Sequence, residues 1–210
     1  MRSLKLVSAP AEDPVSLSEI KNYLRISVST DDAMLTGFIT AATRLVEAWL
    51  NRKLVTQTWD LFDDCFPEYR NFDALKEGWQ EGALSEYISQ KDFISIPFFP
   101  LQSVTFLKTF DEDDTEFTMP SSDYQVDTIS EPGRLALRLS ATWPTTVLRT
   151  VNGINIRFVC GYGTASAVPY PIKQAIQMMV GKFYESRGCD DSSIPNSVMA
   201  ILAPYRVMRI

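Results

Sequence analysis

Residues 34–60 read MLTGFITAATRLVEAWLNRKLVTQTWD. As far as Leu50 the apolar side chains recur at helical spacing, which predicts an amphipathic helix that follows the polar break at residues 27–32. From Leu54 the apolar period changes to two and the residues become β-branched and aromatic, which indicates a strand. The change of period predicts an α+β fold in which a β region follows helices.

The segment before this stretch carries a complete helix start. Ser16 can accept a hydrogen bond from the backbone of Glu19, and the Glu19 carboxylate can bond back to the Ser16 N–H. Val15 can also pack against Ile20 across the first turn. We therefore expect a first helix that ends near Arg25.

The β region contains about six short strands. After the one that starts at Leu54, strands are predicted at residues 93–98, 103–110, 124–128, 134–139 and 154–160, each bounded by proline, glycine or acidic turns. Residues 67–91 break the pattern, and we interpret them as a long surface excursion.

Helical spacing returns after Pro169-Tyr170-Pro171 and stops near Gly188, and a short last helix from Asn196 to Ala203 is ended by Pro204. The sequence thus predicts a mainly helical body of about four helices with an inserted antiparallel β lobe. The expected boundaries are 1–53 for the N-terminal helices, 54–165 for the β lobe, 166–203 for the C-terminal helices and 204–210 for a tail.

The composition argues against several functional classes. Twenty basic and 26 acidic residues leave a net charge of −6, which disfavours a protein that grips phosphate backbones. Histidine is absent, which removes the usual general base and the commonest metal ligand. Cys65, Cys160 and Cys189 are odd in number and widely spaced, so we expect neither disulfides nor a zinc site. Without an apolar leader or a long apolar run, we expect a cytosolic chain with no membrane span.

Two patterns could carry hydrolytic chemistry. Ser18 and Lys21 fit the Ser-x-x-Lys spacing of serine acylases, but a capping box explains the same residues and the companion motifs are absent. The carboxylate pairs Asp31-Asp32 and Asp63-Asp64 could act as acid and base, yet adjacent residues point apart on a helix or a strand. We predict no catalytic residues.

Two further patterns could bind ligands. The carboxylates of residues 111–114 and Glu116 could hold calcium, but an EF-hand loop would need glycine where Glu116 stands and glutamate where Ser122 stands. We expect a solvated turn between two strands there. Gly161-Tyr162-Gly163 lacks the third glycine of a nucleotide loop, and we expect a tight strand exit. We predict no cofactor and no metal.

The C-terminus has the character of a partner-binding segment. Residues 192–210 contain two arginines and no acidic residue. Tyrosine and arginine are enriched at interface hot spots, and the apolar residues that follow alternate as an added strand would need. The residues concerned are Pro204, Tyr205, Arg206, Val207, Met208, Arg209 and Ile210. The alternative is a tail that packs on its own domain.

The ordered set of short motifs along nearly the whole chain resembles the head-tail connector, or adaptor, proteins of long-tailed phages, prophages and gene transfer agents. The motifs are residues 14–17 with 24–26, 31–32, 57–59, 100–104, 123–127, 132–135, 143–144, 157–158 with 161–163, 171–176 and 202–207. Residues 68–91 depart from the compact members of that family because they make the region longer.

The resemblance implies a structural protein of the virion, located at the head-tail junction and present in the bacterial cytoplasm during assembly. Its subunits, most often twelve, would form a homo-oligomeric ring under the portal protein, and DNA would pass through the lumen without sequence-specific binding. In relatives the helices build the ring and the C-terminal segment docks on the portal, which assigns docking to residues 204–210. The β lobe would face a downstream stopper or tail component, and no membrane partner is implied.

A different class remains open on the sequence alone. Trp59, Trp79, Tyr124 and Trp143 could form an aromatic platform for a glycan, which would make the chain a ligand-binding tail accessory protein that uses its β lobe. Core and interface packing explain these aromatic residues more simply. A monomeric accessory factor is a third possibility.

Overall fold

A computed structural model describes residues 2–66, 93–138, 141–186 and 194–207. The chain divides into two compact units. Unit 1 comprises Met1–Val7, Thr58–Pro97 and Leu101–Val159, and unit 2 comprises Ser8–Gln57, Phe98–Pro100 and Cys160–Ile210. Each unit is assembled from three chain segments, so contacts between residues distant in sequence hold the segments together within each unit.

Unit 1 is built from two β-sheets. The described strands are β1 (Ser3–Ser8), β2 (Gln57–Asp63), β3 (Phe93–Ile96), β4 (Leu101–Phe110), β5 (Glu116–Thr118), β6 (Tyr124–Asp127), β7 (Gly133–Leu137) and β8 (Ile154–Cys160). Five of them form a sheet in the order β1-β2-β8-β4-β5, and three form a sheet in the order β3-β7-β6.

The smaller sheet is antiparallel throughout. Phe93 pairs with Ala136 and Ile96 with Gly133, while Asp127 pairs with Arg134 on the other side of β7. Strand residues alternate between faces, and Ile94, Ile96 and Leu135 are buried. A Cβ added at Gly133 would lie 2.6 Å from the Leu101 side chain, so glycine lets β7 approach β4 of the larger sheet closely.

Unit 2 contains the four described α-helices. They are α1 (Leu17–Leu24), α2 (Asp32–Leu50), α3 (Tyr170–Ser186) and α4 (Asn196–Leu202). The predicted capping box of α1 is confirmed, because the Glu19 N–H donates to Ser16 Oγ at 3.3 Å and the Ser16 N–H donates to Glu19 Oε2 at 2.6 Å. None of the described helices has the length and apolar character needed to cross a membrane.

One apolar core joins the four helices of unit 2. Its fully buried side chains include Ile20 of α1, Leu35 and Val46 of α2, Ile176 of α3 and Val198 of α4. Burying a large aliphatic side chain contributes about 1.5–3 kcal/mol. Leu54 and Val55 also belong to this core, so the residues at which the sequence period changes still pack with the helices.

The α+β class is confirmed, whereas a mainly helical character is not confirmed for the chain as a whole. In the described ranges eight strands accompany four α-helices. The predicted strand at residues 154–160 has the expected bounds, and the others shift by one to three residues. Two strands were missed: β1, which has no buried residue, and β5, which has three residues. The predicted excursion at residues 67–91 lies outside the described residues.

Candidate functional site

The turn between α2 and β2 is organised by a buried carboxylate. Glu47 is 4% exposed and lies in the last turn of α2. Its Oε1 accepts hydrogen bonds from the Leu54 N–H at 3.0 Å and from Gln57 Nε2 at 2.9 Å. Its Oε2 lies 3.2 Å from Lys53 Nζ. Glu47 therefore ties the end of the helix to the start of the next strand.

The backbone of this turn reverses direction tightly. Asn51 caps α2 in the left-handed conformation with a φ of 57°, and its N–H donates to the Glu47 carbonyl. The Arg52 N–H also donates to that carbonyl, at 3.2 Å, and the Lys53 N–H donates to the Phe99 carbonyl at 2.7 Å. Residues 50–53 are thereby held in one geometry.

The same turn holds the C-terminal segment. Arg52 Nε donates to the Tyr205 carbonyl at 2.6 Å, and the Val207 N–H donates to the Leu50 carbonyl at 3.1 Å. The Arg206 guanidinium lies 4.7 Å from the ring centroid of Trp49, a cation–π contact. We call residues 204–207 together with residues 49–52 the tail anchor.

The structure differs from the prediction in how the last helix ends. Pro204 does not end helical geometry, because α4 is followed directly by a 3-10 turn at Ala203–Tyr205. The Tyr205 side chain packs partly buried against the unit 2 core, whereas Pro204 and Arg206 are exposed. Residues 208–210 lie outside the described part of the chain.

The residues considered for hydrolytic chemistry have other partners. Lys21 Nζ lies 2.7 Å from Asp32 Oδ1, and Ser18 Oγ lies 3.0 Å from Ser16 Oγ. Asp31 accepts a hydrogen bond from the Tyr184 hydroxyl at 2.8 Å, so the Asp31 and Asp32 carboxylates engage different residues.

The second acidic pair diverges in the same way. Asp63 Oδ2 accepts a hydrogen bond from Arg2 Nε at 2.8 Å. The Asp64 carboxylate accepts one from the Asn152 N–H at 2.9 Å. Neither pair offers two convergent carboxylates, which acid–base hydrolysis would need.

Residues 111–115 form the predicted turn after β4, and the strand that follows this turn is β5, which begins at Glu116. Asp111 Oδ1 accepts hydrogen bonds from the Asp113 and Thr115 N–H groups at 3.0 and 2.8 Å. Asp114 turns back with a φ of 59° and pairs with Arg149 at 2.9 Å. Over the described ranges no group of three or more acidic or cysteine side chains could hold a metal ion.

The predicted tight exit from β8 is confirmed. Gly161 has a φ of 119°, and an added Cβ would lie 2.6 Å from the Val55 carbonyl oxygen. The two backbone segments therefore lie too close together for any side chain at this position. This close packing accounts for the glycine, and no nucleotide-binding role is needed to explain it. The neighbouring Cys160 is fully buried, and burial raises the pKa of its thiol to about 12. Such a thiol is a poor nucleophile at neutral pH.

The proposed aromatic platform finds no support among the described residues. Tyr124 is 6% exposed, and burial raises the pKa of its hydroxyl. The Trp143 ring is stacked on Phe66, with centroids 4.4 Å apart and an interplanar angle of 18°. A sugar-binding platform requires open ring faces, whereas these rings are used for packing. Trp79 lies outside the described residues.

Among the described residues, the tail anchor is thus the candidate functional site with the clearest set of contacts, and it is not a catalytic pocket. A family model described as "Head completion protein" matches residues 15–208. The chain belongs to the head completion protein family. This match confirms the resemblance predicted from the sequence motifs. No curated protein sequence gives a significant match.

The fold is similar to that of chains in gene transfer agent (GTA) particles. One, in "Neck of empty GTA particle computed with C6 symmetry", has a TM-score of 0.75 and 21% identity, covering 99% of this chain and 97% of that chain. Another, in "Neck of native GTA particle computed with C12 symmetry", has a TM-score of 0.71 with the same identity and coverages. At this identity the similarity shows a shared fold.

A further similar structure is a chain in "Virion of native gene transfer agent (GTA) particle". Its TM-score is 0.71 and its identity 21%, and the match covers 99% of this chain and 96% of that chain. The family description and the neck particles agree with the predicted place at the head-tail junction of a virion. None of these descriptions names an enzyme.

Proposed function

We propose that this chain is a structural subunit of a head-tail connector, which forms a ring beneath the portal of a filled head and joins it to the tail. The observation that carries the proposal is the family match over residues 15–208, together with fold similarity along almost the whole chain to proteins of a particle neck. Twelve copies is the stoichiometry we propose, since one such neck was computed with C12 symmetry.

In this proposal DNA passes through the ring lumen. Each chain carries a formal charge of −6, so a ring of twelve would carry roughly −72, and an acidic conduit repels the phosphate backbone. DNA would slide through without adhering. A subunit whose role is a passage needs neither a catalytic centre nor a cofactor.

We further propose that residues 204–210 dock on the portal, with unit 1 directed to the next connector or tail component. The tail anchor supports this assignment because hydrogen bonds hold residues 205 and 207 against the end of α2, while the Arg206 side chain is exposed. Docking by several short tails at once gains strength from multivalency, since every contact after the first forms at high effective concentration.

The test removes residues 208–210 and leaves the tail anchor intact. The truncated chain should fold normally and fail to join portal-bearing heads in co-sedimentation. Tyr170→Ala, which changes an exposed side chain (70%) elsewhere in unit 2, serves as the control and should join normally. Normal co-sedimentation of the truncated chain would refute the docking role.

A further inference from the structure

The first strand of the larger sheet is unusually exposed. All six residues of β1 are exposed, including Leu4 at 40% and Leu6 at 37%, which share one face of the strand. Within the described residues β1 is hydrogen-bonded to β2 alone, so its outer edge offers unpaired backbone donors and acceptors. Soluble proteins normally shorten or cover such an edge, because it can pair with another chain.

The opposite edge of the same sheet is open in the same way. All three residues of β5 are exposed, and the Phe117 side chain is 52% exposed. In the described part of the chain β5 pairs only with β4. Among the described strands, this sheet thus has no further strand paired at either edge, and each edge carries exposed apolar side chains.

The two edges carry opposite charge. Arg2, which pairs with Asp63, and Lys5 lie at the β1 edge, and positions 1–10 contain no acidic residue. The β5 edge and its turn carry five carboxylates at positions 111–114 and 116, against the two cations Lys108 and Arg149 that pair with them. Over the described ranges no hydrogen bond or ion pair engages the Lys5 side chain. Opposite charges steer edges together, and Lys5 disfavours pairing of one β1 with another.

We infer that β1 of one subunit adds to β5 of the neighbouring subunit, so that the five-stranded sheets join edge to edge around the ring. An antiparallel register places Leu4 opposite Phe117 and Lys5 opposite Glu116. One face then pairs two apolar side chains, and the other face pairs a cation with a carboxylate. Pairing of two different edges is a head-to-tail contact, and contacts of this kind generate a closed ring when the rotation between neighbouring subunits closes. The inference rests on the proposed ring and names the strand contact within it.

Cysteine cross-linking of the full chain tests this contact. In a Cys65→Ser and Cys189→Ser background, a chain with Leu4→Cys and Phe117→Cys should form a ladder of covalent multimers under mild oxidation, because residues facing each other across paired strands lie within disulfide reach. Each chain with only one of the two introduced cysteines should stay uncross-linked on its own, because the remaining native Cys160 is fully buried. An equal mixture of the two chains should give dimers. The control pair is Leu4→Cys with Ile129→Cys, since Ile129 is 93% exposed and not on either edge.

A charge reversal provides the second arm. Lys5→Glu should raise the concentration at which half of the chains are in rings at least tenfold, whereas Arg138→Glu, an equal charge change at an exposed site of unit 1, should have little effect. Equal effects of the two reversals would contradict the charge argument.

The outcomes separate this inference from the proposed function. Rings that form, alone or on cognate portal rings, without a ladder from the cysteine pair would overturn the strand contact and leave the connector role standing. Failure of the unmodified chain to form rings under either condition would overturn both. A ladder from the control pair as strong as that from the test pair would show random collision and also overturn the strand contact.

Discussion

Replacing Glu47 with alanine should destabilise unit 2 strongly, because the Glu47 carboxylate is buried and hydrogen-bonded within that unit. The substitution removes the carboxylate oxygen that accepts from the buried Leu54 N–H and from the buried Gln57 amide. Each orphaned buried donor costs about 1–3 kcal/mol. Lys53, whose side chain is 14% exposed, also loses its buried counter-charge. Breaking such a pair from one side typically costs about 3–5 kcal/mol, which we take as the expected total.

The assay is urea unfolding followed by helical circular dichroism, which reports unit 2 because all four described helices lie there. A loss of this size corresponds to a fall in melting temperature of roughly 10 °C for a chain of this length. Glu47→Gln keeps one acceptor oxygen and should cost about 1–2 kcal/mol. Glu112→Ala, which removes an exposed carboxylate, should change stability by less than about 0.5 kcal/mol. A Glu47→Ala protein as stable as the Glu112→Ala control would refute the reasoning.

Three further predictions follow from local geometry. Gly161→Ala should cost about 2–4 kcal/mol, since the backbone has a positive φ and the new Cβ would meet the Val55 carbonyl, and unfolding curves with unchanged stability would contradict this. Hydrogen bonds, first of all from Ser130, hold the pKa of Asp127 well below its usual value. The contribution of the Asp127 carboxylate to the free energy of unfolding is therefore present above its unfolded-state pKa and is lost as pH falls toward its folded-state pKa. Asp127→Asn should lack this pH-dependent contribution in acid unfolding, and identical acid unfolding curves of the two proteins would contradict the prediction. The Cys160 thiol should resist a thiol reagent in the native protein and react once unfolded, and rapid native labelling at that position would show that it is not buried.

Local patterns predicted the elements whose cause is local. The capping box at Ser16 and Glu19 involves residues three apart, and it forms with the expected hydrogen bonds. The apolar stripe of α2 and the alternation of β8 likewise reflect burial along a single element, and both were located from spacing alone. The motif order further predicted the family, which the match over residues 15–208 confirms.

Features that depend on distant partners were not predictable. β1 has no buried residue, and in the described part of the chain it is held by pairing with β2, which begins about fifty positions later. Anchoring of Tyr205 depends on Arg52, 153 residues away, and no spacing pattern reports it. Glu47 carried a weak sequence signal for a buried site, because it lies at the edge of the apolar stripe, three residues before Leu50. A carboxylate buried at such a position needs hydrogen-bond donors around it.

The connector role itself is tested most directly by the absolute mass of the chain, measured by light scattering on the purified protein alone and mixed with cognate portal rings. The account predicts a species of about twelve times 23.7 kDa, formed either alone or on the portal. A chain that remains a monomer of 23.7 kDa in both conditions would contradict it.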